Sequence, residues 1–268
     1  MSEVIAITNQ KGGVGKTVTA INLAAGIAMR NYDVLIIDLD IQANTTHILY
    51  KTLDPDEESI ADVLINEHSI ERVIRETNIP HLYLAPSSDY LAVADISLAS
   101  KLSRETILQH CLEDGVKDRF DFIIIDTAPY LGLLTLNGIM ASDHILIPVS
   151  CEYLPLMGIK ILLDTLEKIK KRMRYDINIL GFLLTMYDKR ENITIEVEEL
   201  LRERFGDKVF KKPIRINTKL KACTAQHMTI FEYESSKRGK GTEDYTALTE
   251  ETLSRLGYPL KKEVNSSC

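Results

Sequence analysis

Six short runs dominated by Ile, Val and Leu punctuate the chain, at Val4 to Thr8, Val34 to Ile37, Leu82 to Ala85, Phe122 to Ile125, Ile145 to Val149 and Ile177 to Leu184. None alternates apolar with polar positions. A strand that is apolar at every position buries both faces, as strands of a parallel sheet do. Between these runs lie stretches with helical spacing, such as Thr17 to Met29, Thr106 to Lys117, Pro155 to Arg174 and Ile193 to Phe205. Strand alternating with helix predicts crossover units, and hence an α/β fold with a mostly parallel central sheet covered by helices on both faces. With 268 residues and no repeat, low-complexity segment or linker, the expectation is one domain over residues 1–260 and a polar tail at 261–268.

Composition narrows the classes. No stretch approaches the roughly 18 consecutive apolar residues that a membrane span needs, and Met1-Ser2-Glu3 does not open a signal peptide, so a cytoplasmic protein with no membrane partner is expected. Cys111, Cys151, Cys223 and Cys268 form no C-x-x-C pair and read as ordinary reduced thiols. The formal net charge of −7 argues against a uniformly basic nucleic-acid binder. It is unevenly spread, however: residues 160–221 carry 16 Lys/Arg against 10 Asp/Glu, a local excess of six positive charges.

The candidate chemistry begins directly after the first apolar run. In "NQKGGVGKT" the glycines Gly12, Gly13 and Gly15 let backbone N–H groups turn toward an anion, and the helix that follows adds its positive end. Lys16 is placed for phosphate oxygens and Thr17 for a Mg²⁺ ion. The strict phosphate-loop pattern G-x-x-x-x-G-K-[ST] fails at Gln10, and a second lysine, Lys11, stands next to it. Two further runs end in acids at what a parallel sheet makes its ligand-binding edge: "VLIIDLD" closes on Asp38 and Asp40, and "FIIID" on Asp126. Either aspartate of the first pair could instead cap the following turn.

"KGGVGKT" resembles the deviant Walker A loop of the ParA/MinD family of dimerising P-loop ATPases, and "AINLAA" is most similar to its ParA partition branch. "DLDIQAN" resembles the family's switch I, with Ile41 where proline is usual and Ala43 where glycine is common. "DTAPYLG" resembles Walker B and switch II, with Ala128 in place of a proline and Tyr130 in place of a small residue. "TMYD" and "PIRINTKLKA" resemble the segments beside the adenine, with Ala222 where glutamate is usual.

The resemblance implies a P-loop NTPase that uses ATP and Mg²⁺. Its nucleotide-binding set is Lys11, Gly12, Gly13, Val14, Gly15, Lys16, Thr17, Val18 and Asn217, and Thr17, Asp40 and Asp126 face the metal. Asp40, Lys11 and Lys16 carry catalysis, with Lys11 reaching the nucleotide of the opposite subunit in an ATP-bound homodimer. Asn217 reads equally as a turn-forming asparagine, and His227, where glycine is common, reads as a packed or surface residue.

The same resemblance implies a partition (segregation) ATPase whose dimer binds nonspecific DNA on the nucleoid and is stimulated by a ParB-like adaptor. The basic candidates for DNA contact are Lys170, Lys171, Lys211, Lys212, Arg215 and Lys219, within a wider cluster that includes Lys168, Arg172, Arg174, Lys208 and Lys221. A solvated basic face is the plain alternative. With the loop starting at residue 11, no DNA-reading extension precedes it and operator repression is not expected. A related ATPase positioning a protein cargo on the nucleoid is the neighbouring reading. A MinD-like membrane ATPase would need a cationic amphipathic C-terminal helix, which the acidic "DYTALTEETLSRL" does not supply. A nitrogenase-reductase-like electron donor would need paired cluster ligands, and Cys111 and Cys151 do not fit them.

Overall fold

A computed structural model of the chain describes residues 2–50, 52–54, 56–151, 156–173, 175, 177–234 and 239–261. The strands are β1 (Glu3–Ile7), β2 (Val34–Leu39), β3 (Arg75–Glu76), β4 (Leu82–Ala85), β5 (Phe122–Thr127), β6 (His144–Ser150) and β7 (Asn178–Thr185). The helices are α1 (Lys16–Ala28), α2 (Asn44–Leu49), α3 (Ile60–Asn66), α4 (Leu91–Leu98), α5 (Ile107–Glu113), α6 (Val116–Arg119), α7 (Leu133–Met140), α8 (Leu156–Met173), α9 (Asn192–Phe205), α10 (Thr218–Ala225), α11 (Ile230–Tyr233) and α12 (Lys240–Arg255).

The strands form one seven-stranded sheet in the order β3-β4-β2-β5-β1-β6-β7. All pairings are parallel except that of the two-residue β3, which runs antiparallel at the edge. The uniformly apolar strands do bury both faces. Ile5, Ile7, Val34, Ile36 and Ile124 pack with α1 and α12 on one side, and Val4, Ala6, Leu35, Ile37, Ile123 and Ile125 pack with α3, α4, α5 and α7 on the other. A third cluster covers β6 and β7 with α8 and α9. There Ile159, Leu162, Leu166 and Ile169 of α8 recur at the three- and four-residue spacing of one helical face.

Two details differ from the sequence expectation. The segment Thr106 to Lys117 is two helices, because Gly115 adopts φ 96°, a left-handed conformation that ends α5 and starts α6. The short helices α2, α3, α4, α7, α10 and α11 and the edge strand β3 stand outside the segments named from the sequence. Of the expected helix Pro155 to Arg174, both end residues lie outside the described residues, as do residues 262–268 of the polar tail and Cys268.

The strand order places the site. From β1 the chain steps past the β5 position to β2 and later returns to the other flank of β1 through β6. The carboxyl ends of β1, β2 and β5 therefore meet where the direction of winding changes, which is the ligand crevice of open parallel sheets.

Candidate nucleotide and metal site

The loop after β1 is tied down on two sides. Asn9 donates its side-chain amide to the Pro148 carbonyl at 2.7 Å and accepts from the Lys11 N–H at 3.0 Å. Thr185, the last residue of β7, donates to the Val14 carbonyl at 2.9 Å. Gly13 and Gly15 take φ 75° and 83°, which a side-chain-bearing residue adopts only at a cost of roughly 1 kcal/mol or more. Gly15 caps α1 without a side-chain hydrogen bond, so the first N–H groups of α1 are left for an anion. Gly12 and Gly13 are exposed at the loop crest, and Val14 is buried beneath it.

Lys16 lies under this loop, 6 % exposed, with its Nζ donating to the Lys11 carbonyl at 3.2 Å. Burial pulls its ammonium below the ordinary lysine range, and the charges of Asp126 and Asp40 push it back up. Thr17 and Val18 follow on the half-buried first turn of α1, and Lys11 is exposed.

Asp38 and Asp126 are register partners on adjacent strands, both fully buried, and they share the face of Ile36 and Ile124, which look toward α1. Asp38 is filled by its own loop: it accepts from the Asp40 N–H at 3.1 Å, the Thr46 N–H at 2.9 Å and the Thr46 hydroxyl at 2.7 Å. Asp38 therefore organises the switch loop. Asp126 accepts from the Thr45 hydroxyl at 2.8 Å through Oδ2, with the Thr17 side chain near enough to favour its charged form, while its buried Oδ1 has no hydrogen-bond partner among the described residues. Burial first, and then the facing Asp38, push the Asp126 carboxyl up to about 7; burial pushes Asp38 up to about 6.

A carboxylate oxygen that is buried and unpartnered, beside a threonine hydroxyl, suits a hard divalent cation, which would supply the missing positive charge. The residues fit Mg²⁺. Asp40 is 8 % exposed. Its Oδ1 accepts from the Gln42 N–H at 3.0 Å, the turn-capping contact, and its carbonyl accepts from Ser87 at 2.8 Å and from Ala43 at 2.9 Å. Ala43 holds φ 51°, the left-handed conformation for which glycine is the unstrained residue.

Asn217 lies at the same rim. The Ile216 N–H donates to the Tyr187 carbonyl, and the Tyr187 N–H to the Ile214 carbonyl, both at 3.1 Å, which joins this segment to the end of β7 beside the phosphate loop. Asn217 caps α10, its Oδ1 accepting from the Lys219 N–H at 3.0 Å. His227 is an exposed residue whose ring contacts the His47 carbonyl.

The basic candidates divide. Arg215 is committed to Asp244 and Glu243, and Lys212 reaches the buried Asp244 carboxylate at 3.5 Å. Lys170, Lys171, Lys211 and Lys219 are exposed, Lys171 with an i,i+4 partner in Glu167 at 3.6 Å and Lys219 at 3.8 Å from Glu234. The Arg172 side chain and Arg174 lie outside the described residues. Sequence reasoning missed Thr45, Thr46 and Ser87, which brace Asp126, Asp38 and the Asp40 carbonyl in turn. The signal for Thr45 and Thr46 is the run of hydroxyls in "NTT" after the strand acids; Ser87, in "APSSDY", has none of that kind.

A family model for the AAA domain matches residues 2–179. The chain is 41 % identical over 251 residues to the sporulation initiation inhibitor protein Soj of Bacillus subtilis (strain 168), covering 94 % of this chain and 98 % of that one. The chain belongs to the Soj/ParA family of partition ATPases. The chromosome partitioning protein ParA of Myxococcus xanthus is similar over 95 % of this chain and 89 % of its own, at 37 % identity. Among solved structures, a cobyrinic acid a,c-diamide synthase from Mycobacterium smegmatis with bound ADP and magnesium superposes with a TM-score of 0.81 at 28 % identity, covering 98 % of this chain and 100 % of that one. Its name states another reaction, so the superposition marks the P-loop NTPase fold, while the Soj/ParA relatives mark the branch.

Proposed function

We propose that this Soj/ParA family member is a Mg²⁺-dependent ATPase that closes into a two-fold dimer around ATP, coats nonspecific DNA as that dimer, and hydrolyses ATP when a ParB-like adaptor stimulates it. The observation that carries the reading is the buried set Lys16, Asp40 and Asp126, with the half-buried Thr17, beneath a loop whose backbone N–H groups are left for an anion.

In this reading Lys16 and the N–H groups from Gly12 to Val18 hold the phosphates, and Thr17 with Asp126 Oδ1 would hold Mg²⁺, which would supply charge neutralisation at the transferred phosphoryl group. Asp40, at the mouth of the site, orients the attacking water and accepts its proton. Lys11 is exposed on the crest. A lysine delivered there from a second subunit makes closure depend on bound nucleotide, because the phosphates are its counter-charge. Asn217 contacts the adenine.

Within the dimer, Lys170, Lys171, Lys211 and Lys219 are the candidates for phosphate-backbone contact, while Lys212 and Arg215 have their charge answered within the fold. The apolar face of α12 is spent on packing against α1 through Tyr245, Leu248 and Leu253. That supports a DNA surface over a membrane surface, and in this reading the protein works in the cytoplasm on the nucleoid. The test is retention on immobilised nonspecific duplex DNA and on anionic liposomes, side by side, with and without ATP. ATP-dependent DNA retention that falls steeply with salt is expected; salt-insensitive DNA binding, or retention on liposomes alone, contradicts the proposal.

A further inference from the structure

Glu234 closes α11 and carries a carboxylate whose side chain is only 1 % exposed. One oxygen accepts from the Thr242 N–H at 2.8 Å, in the first turn of α12, with the Gly241 N–H close by. The other oxygen accepts from the Asn217 side-chain amide at 3.4 Å and lies 3.8 Å from the Lys219 Nζ. Burial alone would raise this carboxyl, yet the hydrogen bonds from Thr242, Asn217 and Gly241 hold it below the usual glutamate range. The seat admits no bulk: a Cβ on Gly239 would collide with the Glu234 carboxylate, and one on Gly241 would lie 3.0 Å from the Asn217 amide nitrogen.

Asn217 is therefore held from both ends. Its oxygen accepts from the Lys219 N–H and its nitrogen donates to Glu234. Exchanging the two would set carbonyl oxygen against carboxylate and NH₂ against N–H, so the amide has one stable orientation. One N–H and one lone pair remain, in fixed order, beside Ile216, an apolar side chain left 45 % exposed. Adenine presents a donor next to an acceptor, whereas guanine presents acceptors, or an acceptor next to a donor in the reverse order. An amide free to flip reads both bases, and an amide that cannot flip reads one.

We infer that Glu234 is a positioning residue for nucleobase specificity, locking the Asn217 amide in the orientation that accepts adenine and rejects guanine. This rests on the proposed ATP reading and on Asn217 as its base contact. Glutamine at 234 offers either an oxygen or an NH₂, so it releases the flip while keeping size.

The test measures Kd for ATP and GTP with Mg²⁺ on wild type, Glu234→Gln, Asn217→Ser and the double variant, with thermal unfolding alongside. Serine keeps the cap of α10 and removes the amide. Expected is a wild-type preference for ATP that falls about tenfold in Glu234→Gln, the scale of one buried hydrogen bond, with no further fall when Asn217→Ser is added. A purely structural role would weaken both nucleotides alike. An unchanged ATP-to-GTP ratio in Glu234→Gln, or in Asn217→Ser should the first variant fail to fold, overturns the inference and leaves the ATP reading standing. A wild type that binds neither triphosphate overturns both.

Discussion

Replacing Asp126 by asparagine takes one charge from a pair of facing, fully buried carboxylates. Asp126 is pushed to about 7 by burial and by the facing Asp38, and Asp38 to about 6 by burial, against an ordinary aspartate value near 3.8. A carboxyl whose folded pKa is raised contributes stability that is present below its unfolded pKa and is lost as pH rises through the folded one. Asp126 alone therefore costs the nucleotide-free protein about 3 to 4 kcal/mol above pH 7.

Part of that is returned by Lys16, which loses one of the two carboxylates that favour its charge. The remaining gain for Asp126→Asn is about 1 to 3 kcal/mol at pH 8, or about 2–4 °C of melting temperature per kcal/mol. It shrinks by on the order of 1 kcal/mol per pH unit from pH 7 down to pH 4. Asparagine keeps an oxygen for the Thr45 hydroxyl, so packing is undisturbed. Urea unfolding of both proteins at pH 5 and pH 8 without nucleotide measures this, and the stabilisation by ATP with Mg²⁺ should be lost in the variant. A variant no more stable than wild type at pH 8, with the same pH slope, would refute the picture of a site strained by uncompensated carboxylates.

Lys16→Ala should weaken ATP binding by at least 100-fold in titration calorimetry, because a buried cation facing the phosphates is removed; unaltered affinity would remove Lys16 from the site. Asp40→Ala should bind ATP and dimerise while phosphate release drops by 100-fold or more, and wild-type turnover would take Asp40 out of the reaction. Because Asp40 Oδ1 also caps its own turn, the Asp40→Asn variant, which keeps that acceptor, should share the loss of turnover without the loss of loop stability.

Much of this was legible before any coordinates. Strands buried on both faces carry an unbroken apolar signal, so β1, β2, β4, β5, β6 and β7 stand where the runs of Ile, Val and Leu placed them, within a few residues. The phosphate loop is equally local, since its glycines, lysine and helix start are consecutive. What could not be read depends on contacts between distant segments. That Asp38 and Asp126 are register partners follows from the pairing of β2 with β5, 88 positions apart, and no spacing along the chain states it. Helix α7 is eight residues long and buried along most of its length, so it lacks a polar stripe to announce it, while α4 leaves the apolar Val93 and Ile96 exposed, so its apolar positions do not mark its buried face. Arg215 looked like a surface cation until the fold brought Asp244 beneath it. Glu234 was invisible in "FEYE", because its partners at 217 and 242 meet it only in the folded chain.

The central claim is that Lys16 holds the nucleotide and Lys11 couples it to a second subunit. Light scattering coupled to size exclusion, on wild type and Lys11→Ala with saturating ATP and Mg²⁺, tests it most directly. The account predicts a wild type that shifts from monomer to dimer mass with ATP, and a Lys11→Ala variant that binds ATP yet stays at monomer mass. A Lys11→Ala protein that still dimerises on ATP, or a wild type whose mass ignores the nucleotide, would contradict it.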